Sequence, residues 1–118
     1  MSTQRQGRRG EARALAYLEG RGLRLLEHNY RCRGGEIDLV MRDGATTVFV
    51  EVRLRRNRRF GGAAASITPS KQRRLCTAAR HYLMVRGMPD GPVRFDVVAL
   101  EGDEPVDWIR NAFDAPVD

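Results

Sequence analysis

Lysine is almost missing from this chain, cysteine and histidine are scarce, and no apolar run is long. The only two cysteines, Cys32 and Cys76, have neither the number nor the close spacing of a zinc site or a disulfide framework, and both are expected to be reduced. The two histidines, His28 and His81, exclude a histidine-rich metal centre and read as structural or solvated side chains. No apolar stretch approaches the ~18 residues that a membrane span needs, so no membrane partner is expected. Residues Met1 to Arg9 are polar and basic with no apolar stretch behind them, which is not the pattern of a secretory signal, and a cytoplasmic location follows as the expectation. Zinc-finger, P-loop and dinucleotide-binding patterns are also missing.

What is present has ordinary globular proportions. Hydrophobic residues make up 42% and charged residues 31%, which argues against disorder, and 118 residues suit one domain, 1–118, with residues 1–9 expected to be flexible. The 21 Lys and Arg against 15 Asp and Glu give a net charge of +6, so affinity for polyanions follows. Lys71 is the only lysine. Arginine, which carries the rest of the positive charge, bonds phosphate through a planar fork and stacks on bases, although a GC-rich coding bias would produce the same preference.

Helical spacing of Ala12, Leu15, Ala16 and Leu18, closed by Gly20 and Gly22, predicts a first helix over Gly10 to Glu19. Leu23 to Tyr30 reads as a strand, followed by the basic turn Arg31-Cys32-Arg33-Gly34-Gly35. Two further strands, Glu36 to Arg42 and Thr46 to Leu54, flank the hairpin signal Asp43-Gly44. A second helix begins with Thr68 as cap and Pro69 at its first position and ends at Gly87 and Pro89. Its apolar stripe is Leu75, Ala78, Ala79, Tyr82 and Leu83. Val93 to Leu100 forms a last long strand, and Trp108, Ile109, Ala112 and Phe113 suggest a short closing helix. The order αβββαβ, with a mixed central sheet flanked by helices, makes the fold class α/β.

The hairpin concentrates acid. Strand alternation places Glu36 and Asp38 on one face, and Glu51 and Arg53 on one face of the next strand. Pairing Arg42 with Ala45 sets Glu36 opposite Glu51, whereas pairing Arg42 with Thr47 sets Asp38 opposite Glu51; a slip by one residue separates the acids. Like charges facing each other across a strand pair cost ~0.2–1 kcal/mol at the surface and more when buried, so compensation is required. A hard cation such as magnesium supplies it and suits phosphodiester chemistry. A salt-bridge network through Arg53 and its neighbours does so equally on spacing alone.

The strings Gly35-Glu36-Ile37-Asp38-Leu39-Val40 and Val48-Phe49-Val50-Glu51-Val52-Arg53 resemble the hairpin of the restriction-endonuclease-like PD-(D/E)xK superfamily. More closely, the chain resembles the small bacterial YraN-type family, a group of predicted nuclease fold with Holliday-junction-resolvase-like relatives. The likeness runs from Gly10-Glu11 and Tyr17-Leu18 through the hairpin to Ser66, Lys71, Leu75, Arg94-Phe95-Asp96-Val97-Val98 and Trp108-Ile109 with Ala112-Phe113. It implies a restriction-endonuclease-like fold, with Asp38, Glu51 and the Val52 carbonyl as ligands of magnesium or manganese, and Glu11 as an acidic residue beside the metal. The superfamily lysine falls at Arg53, a departure, because a guanidinium cannot serve as a base. Arg53 can still stabilise developing negative charge. Lys71 stands as the alternative amine, or as a phosphate contact.

Arg55, Arg56, Arg58 and Arg59 follow the acidic strand and are read as a nucleic-acid-binding rim that positions a backbone without reading sequence. The expected partner is nucleic acid, DNA before RNA, and the resemblance allows for a homodimer. Two readings follow: a magnesium-dependent endonuclease, and a non-catalytic nucleic-acid-binding module with a degenerate nuclease site.

Overall fold

The computed structural model describes residues 3–54, 67–87 and 91–114, with side chains from residue 8 onward. Its elements are α1 (Thr3–Gly20), β1 (Arg24–Cys32), β2 (Gly35–Asp43), β3 (Thr46–Leu54), α2 (Pro69–Val85), β4 (Val93–Leu100) and β5 (Asp107–Phe113). The strands form one sheet in chain order. Three neighbouring pairs are antiparallel and β3–β4 is parallel, so the sheet is mixed. A parallel pair cannot be closed by a tight turn, and α2 lies in the crossover that joins it. The result is an α/β fold compatible with a restriction-endonuclease-like core.

Alternation along β3 sorts the interior into two layers. Phe49 packs with Leu75, Ala78, Ala79 and Tyr82 of α2, while Val48 and Val50 pack with Ala14 and Leu18 of α1. A helix therefore covers each face, which is why the run Thr46 to Val50 shows no polar alternation.

The ends of α2 follow the sequence. The Thr68 side chain accepts a hydrogen bond from the Lys71 N–H, Pro69 occupies the first turn, and Gly87 beyond the helix has φ +68°. α1 begins at Thr3, earlier than the Gly10 start that apolar spacing indicates, because residues 3–9 carry no apolar side chain by which periodicity could mark them. The β2–β3 turn is formed by Gly44 and Ala45, since Asp43 pairs with Thr46 and Arg42 with Thr47. Gly44 takes φ +61°, as the first position of a type II′ turn requires. Of the two registers open in the sequence, this is the one that aligns Asp38 with Glu51.

The expected closing helix over Trp108 to Phe113 is instead β5. Phe95 pairs with Phe113 but Val97 with Ile109, so β5 carries extra residues in a bulge, with Asn111 at φ +51°. That bulge returns Ile109, Ala112 and Phe113 to the same core layer. Their three- and four-residue spacing imitates a helix for this reason. Asp96 fixes the bulge: its carboxylate accepts from Trp108 Nε1 at 2.9 Å, from the Asn111 N–H at 2.9 Å and from Arg94 Nε at 3.0 Å.

Candidate active site

The β2–β3 ladder is regular up to Leu39 and Val50. Beyond that pair a side chain continues it, because Asp38 Oδ2 accepts the Val52 N–H at 2.8 Å. Glu51, between Val50 and Val52, is 7% exposed and belongs to the sheet interior. The two carboxyl groups are close enough to share a proton.

Burial is the main cause that pushes the Glu51 carboxyl up to about 8, and the hydrogen bond to Asp38 and its like charge add to the rise. Lys71 opposes it: Nζ lies 3.4 Å from Glu51 Oε2. Lys71 reaches the acid from the first turn of α2, where Thr68 and Pro69 fix the helix start. Glu11 of α1 is half-buried, and its pKa is raised by burial first and by the Asp38 charge second. With Asp38, Val52, Arg53 and Leu54 it lines a cleft of about 320 Å³.

Asp38 meets Val52 and Glu51, and Lys71 meets Glu51; Glu11 and Arg53 border the cleft of Asp38 and Val52, whose lining does not include Glu51 or Lys71. Glu36 stands apart from Glu51. It is exposed and pairs with Arg31 at 3.4 Å, on a second cavity that also touches Glu11 and Asp38. Of the three hairpin acids, the structure brings Asp38 and Glu51 together and leaves Glu36 at the periphery. Arg55, Arg56, Arg58 and Arg59, together with Ser66 and Pro89, lie outside the described residues.

Sequence reading did not place Arg8 and Asn29 at the site, yet both line the cavity shared by Glu11, Glu36 and Asp38. Arg8 was hidden by the assumption of a late helix start. Nothing in an unbroken strand pattern marks Asn29, whose backbone takes φ +53°. His28 is exposed and bonded to Asn29, and His81 meets the Tyr30 hydroxyl, so neither belongs to the acidic pair.

The donor set is hard. The ligands that the resemblance implies, the Asp38 and Glu51 carboxyl groups and the Val52 carbonyl, are all oxygens, the type that magnesium or manganese takes together with water and phosphate oxygens. Among the described residues no three His, Cys, Asp or Glu side chains form a cage on their own. Lys71 already sets one positive charge beside the buried acid. The residues present fit a divalent cation that shares its coordination with substrate.

Comparison with known proteins places this arrangement in a family. The model of Uncharacterised protein family UPF0102 matches residues 10–100. A UPF0102 protein of Nitrosomonas eutropha is 57% identical over 113 residues, covering 96% of this chain and 97% of that protein. UPF0102 proteins of Alkalilimnicola ehrlichii and Cupriavidus taiwanensis are 58% and 60% identical, over 93% and 97% of this chain and 87% and 86% of theirs. No described helix is long and apolar enough to cross a membrane.

Proposed function

The chain belongs to the uncharacterised protein family UPF0102, and from that premise we propose that it binds nucleic acid, DNA before RNA, and hydrolyses phosphodiester bonds at Asp38 and Glu51. The observation that carries this reading is the convergence of a buried acid, a second acid and the only lysine: Glu51, Asp38 and Lys71. A purely structural ion pair needs one acid for one base. Here a second carboxyl group crowds the first in a buried position, an arrangement that raises the energy of the pair and suits a cationic ligand.

Asp38, Glu51 and the Val52 carbonyl would hold magnesium or manganese, which when bound would polarise the phosphodiester and acidify a water. The chain's own groups supply the remainder. Lys71, the one side chain here that combines positive charge with a removable proton, holds Glu51 and can orient or deprotonate an attacking water. Arg53 borders the cleft and offers a permanent positive charge to a phosphate oxygen, though not a base. Glu11 adds acid on the α1 side. The net charge of +6 draws a polyanion to the molecule.

The second reading, binding without turnover, is favoured by one feature: Arg53 stands where the superfamily pattern has lysine. The two separate in one experiment. Linear duplex, single-stranded and four-way-junction DNA are incubated with the full chain, with and without magnesium or manganese, beside Asp38→Asn and Lys71→Ala variants. Metal-dependent cleavage by the wild type and a loss of at least a hundredfold in both variants is the expected result. Salt-sensitive binding with no cleavage establishes the second reading, and neither binding nor cleavage overturns both.

A further inference from the structure

A cavity of about 390 Å³ lies between α1 and the β1–β2 pair, at the small end of the ~300–1,000 Å³ range of ligand sites. Its walls are apolar, with Leu15 from α1, Leu25 from β1 and Leu39 from β2. Glu11, His28 and Asn29 provide polar groups around those walls. Glu11 also lines the cleft of Asp38 and Val52, so the cavity adjoins the acidic pair.

The backbone of β1 departs from a regular strand at this place. Consecutive strand residues point to opposite faces, yet His28 and Asn29 line the same cavity. The positive φ of Asn29 turns the backbone at that residue and accounts for this. Asparagine tolerates that conformation better than most residues, and its Nδ2 pairs with His28 Nδ1 at 3.2 Å. An imidazole ring and an amide are thereby held together beside leucine walls.

We propose that this cavity receives one unpaired nucleobase of the substrate strand, next to the phosphate presented to Asp38 and Glu51. The proposal rests on the nucleic-acid reading above. A base needs apolar surface for its ring faces and hydrogen-bonding groups for its edge; the leucines meet the first need, and Asn29, Glu11 and His28 the second. Its flanking phosphates need cations, and Arg8 and Arg31 line the adjoining cavity that contains Asp38. An aliphatic ligand would make no use of the Glu11 carboxyl or of the amide and imidazole groups that Asn29 and His28 have left over from their own pairing. A base stacked and paired in a duplex cannot enter, so the substrate class is single-stranded, looped or mismatched nucleic acid rather than intact duplex.

The test is binding of the full chain to fluorescent dT12 and to a twelve-unit abasic backbone of equal charge, in EDTA to prevent cleavage. Burial of a base against the leucine walls predicts roughly tenfold tighter binding of dT12. Ala12→Trp, an exposed substitution on the cavity lining, should abolish that preference while leaving abasic binding unchanged, and Asn29→Gly, which keeps the left-handed backbone, should reduce it. Equal binding of both polymers by the wild type overturns the pocket but not the nucleic-acid reading; binding of neither overturns both. A preference that survives Ala12→Trp and Asn29→Gly also overturns the pocket. Calorimetry with thymidine monophosphate separates the other source of a base: tight binding of the monomer without preference between polymers assigns the cavity to a free nucleotide and overturns the proposal.

Discussion

Lys71 Nζ lies 3.4 Å from Glu51 Oε2, bringing the single lysine of an arginine-rich chain onto its most crowded buried acid. The contact joins α2 to the central strand β3, so helix packing and site electrostatics depend on each other.

The Glu51 carboxyl titrates near 8 in the folded chain against an ordinary 4.5. The folded state holds the proton after the unfolded state has released it, so stability is full below 4.5 and declines as pH rises toward 8. Glu51→Gln removes this decline. Its Tm should match the wild type at pH 4 and exceed it at pH 8.5. Thermal melts across that range check it, and a fall of Tm at pH 8.5 would contradict it.

A cation held by Asp38 and Glu51 would have to displace the same proton. Magnesium affinity should climb close to tenfold per pH unit below about 8 and level off above it. Calorimetry in buffers of different ionisation enthalpy should show proton release at pH 7 and little at pH 9, with the signal absent from Glu51→Ala.

Asp38 has a scaffold role separable from its charge, because its carboxylate accepts the Val52 N–H. Asp38→Asn keeps an acceptor and should retain wild-type stability while losing magnesium binding. Asp38→Ala strands the amide and should cost ~1–3 kcal/mol in urea unfolding. Equal stability of the two variants would deny the scaffold role.

Gly35 leaves no space for a side chain: a Cβ there would fall 2.1 Å from the Arg74 carbonyl oxygen of α2. Gly35→Ala should destabilise by ~1–3 kcal/mol and move α2 away from the sheet. Lys71 is one turn before Arg74, so metal-dependent activity should fall more than stability alone explains, measured well below the variant's Tm.

Asp96 is 1% exposed and meets an indole N–H, a backbone N–H and a guanidinium. Asp96→Ala removes the acceptor that these three half-buried to exposed donors share, while Arg94 keeps Asp43 at 2.9 Å, and should cost about 1–3 kcal/mol. Loss of native Trp108 fluorescence at lower urea is the readout.

Most of this architecture was legible in the residues. Thr68-Pro69 marked the start of α2, the period of Leu75, Ala78, Ala79 and Tyr82 gave its buried face, and the β-branched run through Val50 identified a strand covered on both sides. The hairpin narrowed the acidic alignment to two registers but could not choose between them, because Asp43-Gly44 and Gly44-Ala45 both place glycine where positive φ is needed. β5 was misread since a bulge converts strand alternation into helical spacing. Lys71 was recognised as a candidate amine, but its approach to Glu51 depends on the close seating of α2 on Gly35, a long-range contact with no local signature. Asn29 was invisible for a similar reason: its left-handed backbone is imposed by the sheet around it.

The Asp38–Val52 bond also makes the two acids unequal under mutational drift. If the proposed chemistry were lost, a descendant could discard Glu51 and relieve an internal repulsion, whereas discarding Asp38 would open a seam between two strands. Retired copies of this site should therefore betray themselves by an Asp or Asn still standing at 38 opposite a neutral residue at 51.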